Sequence, residues 1–251
     1  MKKNNLILGT FLAITAILFS GCGAFSSVSS STEKVEGSTD STEPGGVVTI
    51  GSQVWTSKNL NVATYRNGDV IPQVQNEKAW AKLTTGAWCY YDNDASNGTK
   101  YGKLYNYYAV NDARGLAPNG YHIPTDAEWT ILTDYLGGET GASKKMKSTS
   151  GWKNNGNGTN SSGFLGLPGG FRYCDGDYYT TYYNGVGDKG EWWSSSTINR
   201  IIKTELITLY MAERSITDNF FYRSLTFMDD NVSRYYFDHL NSGFSVRCIR
   251  D

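Results

Sequence analysis

The alternation of apolar and polar side chains is clearest in the last third of the chain, where it has a period of two. Over residues 221–228, the odd-numbered positions, beginning with Phe221, are mostly apolar, and the even-numbered positions, beginning with Tyr222, are mostly polar. The alternation resumes over 232–237, after Asp229-Asp230-Asn231, and returns over 244–248. Because successive side chains of a strand point to opposite faces, the pattern predicts antiparallel strands with a turn at 229–231. Residues 206–210 predict another strand, with a helix as the alternative.

One segment has the helical period and clear ends. Thr125 and Glu128 have the spacing of a capping box, and apolar residues then recur three and four positions apart up to Leu136. Gly137-Gly138 favours the end of the helix there. Residues 104–111 are compatible with a second short helix, and the pattern after Gly138 predicts no further helix of this quality.

The first strands are predicted directly after residue 46. Residues 47–50 and 53–55 flank Gly51-Ser52, which is typical of a hairpin with a two-residue turn. Two short helices, antiparallel strands and loops rich in glycine and aromatic residues predict an α+β domain over residues 47–251. Its length of about 205 residues is enough for one domain with a sizeable core.

The N-terminus predicts export and lipid attachment. Lys2 and Lys3 precede an apolar run over 6–19, and Ser20-Gly21-Cys22 follows. A basic start, a short apolar core and small residues are typical of a secretory signal peptide, predicted here over 1–21. The apolar run is shorter than the roughly 20 residues of a membrane-spanning helix. Because Ser20-Gly21-Cys22 resembles a bacterial lipobox, Cys22 is the predicted lipidation site; the alternative is a plain signal peptide with a coincidental cysteine.

Residues 22–46 predict a flexible linker between the lipid and the domain. They are rich in serine, threonine and glutamate and offer almost no apolar side chains to bury. We therefore expect a cell-envelope protein anchored by its N-terminal lipid to the outer membrane. Exposure on the cell surface is left open, because the residues after Cys22 become acidic only at Glu33.

Composition and charge narrow the function classes. A formal net charge of −1 offers no basic face for nucleic acid. The 28 glycines, 18 tyrosines and 7 tryptophans indicate turns and short strands around an aromatic core. The chain has two histidines, His122 and His239, and no Gly-x-Ser-x-Gly motif for a nucleophile beside either of them. The sequence therefore predicts no catalytic residues.

Residues 92–98 resemble the start of a calcium-binding EF-hand loop. The spacing fails, because Asn97 stands where the loop needs glycine and Lys103 stands where the bidentate glutamate belongs. A polar turn is the simpler interpretation. We expect no cofactor, and a calcium ion in loops that the sequence does not locate is left open.

Five ordered motifs carry a resemblance to a known family. They read YGKLYNYYAV at 101–110, GYHIPTDAEW at 120–129, LPGGFR at 167–172, EWWSSS at 191–196 and GFSVRCIR at 243–250. Together they resemble the Fibrobacter succinogenes major paralogous domain, common on lipoproteins of Bacteroidota and Fibrobacterota. That family is similar in architecture to C-type-lectin-like domains and to the formylglycine-generating enzyme. The resemblance implies a compact α+β, C-type-lectin-like fold with a strand-rich end that faces the ligand.

The cysteines weaken an enzymatic interpretation. Formylglycine-generating enzymes hold copper with a cysteine pair near the C-terminal part of the fold, and this chain has only Cys248 there. A disulfide between Cys89 and Cys248 is the preferred pairing in an oxidising compartment, and three free buried thiols are the alternative. A copper-dependent oxidase is therefore a minor alternative.

The strands of the last third carry the predicted binding surface. Tyrosine supplies contact area at low entropy cost, and short polar side chains supply hydrogen bonds. We expect this face to bind a glycan or another cell-surface molecule without catalysis. The predicted ligand-binding residues are Tyr222, Ser224, Thr226, Asp229, Asp230, Asn231, Ser233, Tyr235, Asp238, His239 and Asn241.

Three alternatives remain open for this surface. Related domains occur among proteins that retroelements diversify by replacing adenines, and codons of the asparagine type give several of these residues. The same residues are also compatible with an ordinary polar strand face in a structural envelope protein. Exposed aromatic residues such as Phe220 and Phe221 are compatible with an assembly face as well.

Overall fold

Short strands and helices alternate in the first half of the domain, and long strands follow in the second half. The computed structural model describes residues 46–175, 180–200, 217–237 and 239–251. The strands are β1 (Val47–Ile50), β2 (Gln53–Thr56), β3 (Trp88–Cys89), β4 (Leu104–Tyr105), β5 (Tyr121–His122), β6 (Gly169–Asp175), β7 (Thr180–Val186), β8 (Lys189–Arg200), β9 (Thr217–Thr226), β10 (Val232–Phe237) and β11 (Ile249–Arg250). The helices are α1 (Glu77–Ala81), α2 (Ala95–Tyr101), α3 (Tyr107–Val110), α4 (Asp126–Tyr135) and α5 (Glu139–Met146), with a 3-10 turn at Tyr91–Asn93.

Three sheets organise these strands. Their orders are β1-β2-β11-β5, β10-β9-β8-β6-β7 and β3-β4. The predicted hairpin of β1 and β2 is confirmed, and Gly51 in its turn has a φ of +61° that favours glycine. The predicted antiparallel pair across the turn at 229–231 is also confirmed, as β9 and β10. The strand predicted at 206–210 lies outside the described residues.

The five-stranded sheet curls into a half-barrel around the end of the chain. β6 and β8 pair in parallel only at Gly170 and Gly190. Beyond that point residues 243–245 run between them: Gly243 exchanges two backbone hydrogen bonds with Arg172 on β6, and Ser245 N donates to Glu191 O on β8. The curl brings ring centroids on β6 and β10 within 5.8 Å, although β8 and β9 lie between these strands.

Helix α4 has the predicted start, whereas the predicted number of helices is too low. Thr125 Oγ1 accepts a hydrogen bond from Glu128 N at 3.2 Å, and Glu128 Oε2 accepts one from Thr125 N at 2.8 Å, so the capping box is formed. Residues 104–111 split into β4 and α3. The expectation of two short helices is wrong, since the described residues contain five. One of these is α5, which follows Gly138, a residue that gives no side-chain cap.

Tryptophans form the centre of the core. Trp55, Trp129 and Trp192 pack with Phe164 beneath α4, and Trp193 packs against a second cluster that surrounds β4. These five tryptophan and phenylalanine side chains have at most 1% of their surface exposed. Among the described residues, no helix has the length and apolar character that crossing a membrane requires.

Two arginines of the sequence motifs connect loops inside this core. Arg247 is fully buried and donates to Asn59 Oδ1 and to the carbonyl oxygens of Thr56, Phe164 and Leu165 at 2.7–2.9 Å. Burial lowers the pKa of Arg247 to about 9. Arg172 is also buried and donates to the carbonyl oxygens of residues 74 and 75. These side chains stabilise the frame and are withdrawn from any surface.

The predicted disulfide between Cys89 and Cys248 is wrong. Both cysteines are free and buried, as is Cys174. Cys89 pairs with Leu104 across β3 and β4 and packs in the cluster of Trp80, whereas Cys248 packs in the cluster of Tyr105. Leu104 and Tyr105 are adjacent on β4, so their side chains point to opposite faces. Cys89 packs on the side of Leu104 and Cys248 packs on the side of Tyr105, so the two thiols lie on opposite sides of the β3–β4 ribbon.

Candidate functional site

One face of the half-barrel collects aromatic side chains from several strands. Trp193, Tyr222 and Tyr235 are cross-strand partners on β8, β9 and β10, so they lie on the same face. The rings of Tyr173 on β6 and Phe237 on β10 approach each other there, and Tyr182 on β7 packs against Tyr173 with ring centroids 5.0 Å apart. We call this surface the aromatic face, formed by Tyr173, Tyr182, Trp193, Tyr222, Tyr235 and Phe237.

The rings of the aromatic face range from fully buried to half exposed. Trp193 is fully buried and packs on Phe244, with centroids 4.2 Å apart. Tyr222 is half-buried and lies 5.5 Å from Tyr235, with their planes inclined by only 34°. Tyr235 and Tyr182 are 48% and 50% exposed. A buried aromatic floor therefore supports an outer layer of tyrosine rings that a flat apolar surface can contact.

A carboxyl group lies within this face. Glu191 is the cross-strand partner of Ser224, two residues from Trp193, and it is only 4% exposed. Ser224 Oγ lies 3.4 Å from its Oε1, a long hydrogen bond. Burial raises the pKa of Glu191 to about 7, although the positive charge of Lys189 and the hydrogen bond from Ser224 lower it in part.

Four of the predicted binding residues lie at the turn between β9 and β10 instead. They are Thr226, Asp229, Asp230 and Asn231. The buried Lys147 holds this turn: its Nζ donates to the carbonyl oxygens of Thr226 and Asp229 at 3.1 and 2.9 Å and lies 3.5 Å from Asp230 Oδ1. Asp229 Oδ1 also accepts a hydrogen bond from Asn231 N at 3.0 Å. A polar cavity of about 250 Å³ lies beside the turn.

The remaining predicted residues divide between the rim and the frame. Ser233 and His239 are half-buried, and the ring of His239 meets Phe237 edge-on at 5.0 Å. Asn241 Nδ2 donates to Ala81 O at 2.7 Å, so this side chain connects its loop to α1. Ser224 is 1% exposed, so its predicted outward position is wrong. Asp238 and Cys22 lie outside the described residues.

A separate cleft of about 430 Å³ opens near the start of β9. Tyr107, Tyr108, Asp112 and Phe220 contribute to its lining. The rings of Tyr107 and Phe220 lie 4.1 Å apart. The cleft combines aromatic and polar side chains that no local sequence pattern connects.

The buried thiols and His122 are held in structural contacts. Burial raises the pKa of Cys174 to about 11 and that of Cys248 to about 12, which opposes formation of a reactive thiolate. Both ring nitrogens of His122 are occupied: Nδ1 lies 2.7 Å from Asp251 Oδ1 and Nε2 lies 2.8 Å from Glu128 Oε1. Within the described ranges, no three His, Cys, Asp or Glu side chains are grouped to hold a metal ion.

The sequence pattern did not predict Tyr173, Tyr182, Trp193, Phe237 or Glu191 as members of the site. Tyr173 and Tyr182 reach the face only because the sheet curls, so no local pattern connects them with β10. Glu191 had a usable signal, since it is an acidic residue directly beside two tryptophans that are buried in the core. A charged residue at such a position is rarely buried without a specific reason.

The comparisons with known proteins identify a family. A search of curated proteins finds no significant match, and neither does a search of solved structures. Residues 48–250 match the family described as the Fibrobacter succinogenes major domain. This match covers the whole half-barrel and all five motifs, from YGKLYNYYAV to GFSVRCIR. The chain therefore belongs to the Fibrobacter succinogenes major domain family.

Proposed function

We propose that the domain binds a glycan on its aromatic face, without catalysis. The observation that carries this proposal is the pair of half-exposed rings, Tyr182 and Tyr235, above a floor of buried aromatic residues. Sugar rings have apolar faces, and aromatic side chains at a rigid surface favour contact with them because both partners lose water. The strands supply the rigidity that a weak stacking contact needs.

The same proposal includes a C-type-lectin-like fold, in which the strand-rich half of the domain faces the ligand. Its support is the mixed fold, whose strand-rich half carries the aromatic face, as the resemblance implies. The raised pKa values of the buried thiols speak against the oxidase alternative. If a retroelement diversifies this gene, we expect the changes at Tyr222, Ser233 and Tyr235, since the side chains of Ser224 and Asn241 belong to the frame.

Affinity gel electrophoresis of the full chain in detergent, with soluble polysaccharides in the gel, tests the proposal. The informative variant is Tyr235→Ala, and the matched control is Tyr236→Ala. Both tyrosines lie on β10 and are 48% and 47% exposed, but they point to opposite faces. Loss of roughly 50 Å² of apolar contact at about 25 cal/mol per Å² weakens binding by about tenfold.

We expect Tyr235→Ala to lose retardation in the gel and Tyr236→Ala to keep it. Equal loss in both variants would assign binding to the strand edge and not to the aromatic face. A wild-type protein that no polysaccharide retards would favour a structural envelope role.

We further propose that a lipid on Cys22 anchors this binding domain to the outer membrane. The sequence Ser20-Gly21-Cys22 after a short apolar run supports it. Growth with an alkyne-tagged fatty acid should label the wild-type protein and leave Cys22→Ala unlabelled in the membrane fraction. Labelling of Cys22→Ala would contradict the anchor, and the binding proposal would stand without it.

A further inference from the structure

Glu191 is a carboxyl group for which the frame provides too few hydrogen bonds. A carboxylate offers about four acceptor positions. Among the described residues, its side-chain hydrogen bond comes from Ser224 Oγ at 3.4 Å, at the long limit of such contacts. The backbone of Glu191 contributes to the frame, since its carbonyl oxygen accepts a hydrogen bond from Ser245 N. Buried polar groups of this kind require an explanation, and a ligand that supplies the missing donors is one.

The position of Glu191 on the sheet relates it to the exposed rings. Glu191, Ser224 and Ser233 form one cross-strand row, and Trp193, Tyr222 and Tyr235 form the next. Rows on the same face are about 6.7 Å apart along the strands. Tyr222 lies on the strand next to Glu191, so a sugar ring that contacts Tyr222 has its edge near the row that contains Glu191. The half-buried ring of Tyr222 is close enough to Glu191 for their charges to interact.

The charges near Glu191 select a class of ligand. Lys189 lies two residues away on the same face, and its Nζ is 5.6 Å from the centroid of the Phe171 ring. Its positive charge opposes a cationic group at this place, and the carboxylate opposes an anionic group. The titratable groups that interact with this row are Lys189 on β8, Tyr222 on β9 and, through Tyr222, Tyr235 on β10. A neutral ligand with several O–H donors is therefore favoured.

We propose that Glu191 anchors the ligand of the aromatic face by accepting hydrogen bonds from two adjacent hydroxyl groups of a neutral sugar ring. The inference rests on the proposed glycan function and specifies it further. The tyrosine rings contact the flat side of the sugar. Ser224 keeps the carboxyl group oriented.

This arrangement makes binding depend on pH. Only the ionised carboxylate offers all its acceptor positions, whereas the acid form uses one oxygen as a donor. Burial raises the pKa of Glu191 to about 7. The ionised fraction therefore falls by about 30-fold between pH 8 and pH 5.5. We expect the affinity for a neutral polysaccharide to fall by a similar factor.

The experiment uses the full chain in detergent, with titration calorimetry and affinity gels at about pH 5.5 and about pH 8. The probes are galactomannan, xyloglucan and dextran as neutral polysaccharides, chitosan oligosaccharides as cations and polygalacturonate as an anion. Glu191→Gln keeps the shape and removes the charge. Asp134→Asn, on the exposed side of α4, is the matched loss of a carboxylate.

We expect a neutral probe to bind, with affinity at least tenfold lower in Glu191→Gln at pH 8 and unchanged in Asp134→Asn. The variant should also lose the pH dependence. If Glu191→Gln binds like the wild type while Tyr235→Ala does not, the role of Glu191 is overturned and the aromatic face remains the site. Preference for chitosan or polygalacturonate overturns the neutral class. If no probe binds the wild type, the proposed function fails as well.

Discussion

Replacement of Glu191 by glutamine is expected to make the folded protein more stable above pH 7. The carboxyl group is 4% exposed, and burial raises its pKa from 4.5 to about 7, more than Lys189 and Ser224 lower it. The folded protein therefore binds this proton more tightly than the unfolded chain does. Stability from Glu191 is fully present below pH 4.5 and is lost as the pH rises through 7.

The size of the effect follows from the two pKa values. The interval between 4.5 and about 7, at about 1.4 kcal/mol for each pH unit, corresponds to about 3 kcal/mol of unfolding free energy. Glutamine is neutral at every pH and has nearly the same shape, so Glu191→Gln avoids the cost of the buried charge. We expect the variant to exceed the wild type by about 3 kcal/mol near pH 8 and by less than about 1 kcal/mol near pH 5.

Urea unfolding followed by tryptophan fluorescence measures this difference at both pH values. Other titrating groups are shared by the two proteins and cancel in the comparison. Asp134→Asn removes an exposed carboxylate and should follow the wild type at both pH values. A difference between Glu191→Gln and the wild type that is the same at both pH values would refute the reasoning, because the carboxyl group would then not titrate between them.

Three further predictions concern the frame. Arg247→Met removes the donor of three carbonyl oxygens and one of the two donors of Asn59 Oδ1, and should lower the free energy of unfolding by about 3–5 kcal/mol in urea; a loss below about 1 kcal/mol would contradict the role of this side chain. Partial burial lowers the pKa of His122, but hydrogen bonds to Asp251 and Glu128 outweigh it and leave the pKa raised, so its stabilisation is present below about pH 6.5 and is lost as the pH rises through the raised value. An NMR titration should show a lower pKa for this histidine in Asp251→Asn, and an unchanged value would argue against the contact. The three cysteines of the domain are free, so dithiothreitol should leave the melting temperature unchanged, and a decrease would indicate a disulfide.

Local signals in the sequence were sufficient for some elements and not for others. The start of α4 could be predicted because Thr125 and Glu128 lie three residues apart and form their hydrogen bonds with each other. Helix α5 has no comparable signal: Gly138 provides no side-chain cap, and Gly141 lies within the helix. Its burial against α4 and β10, which the sequence does not reveal, stabilises it instead.

The sequence predicted only those residues of the candidate site that lie on strands with a clear alternation of apolar and polar side chains. A period of two identified Tyr222 and Tyr235, because both are exposed to some degree on one pair of strands. It also placed Ser224 at the surface, since alternation assigns polar residues outward and contains no information about a sheet that curls. The contribution of Tyr173 depends on contact with β10, more than sixty residues later in the chain.

The insertion of residues 243–245 between β6 and β8 has a consequence for the biogenesis of the protein. These residues, together with β11, connect segments near residues 55, 105, 122, 172 and 192. Loops of this length must close before the contacts stabilise the fold, so folding is expected to be slow and to require that residues 243–250 have been synthesised. A chain interrupted before residue 243 lacks the strand that separates β6 from β8. Incomplete chains therefore do not complete the half-barrel and can be degraded by proteases.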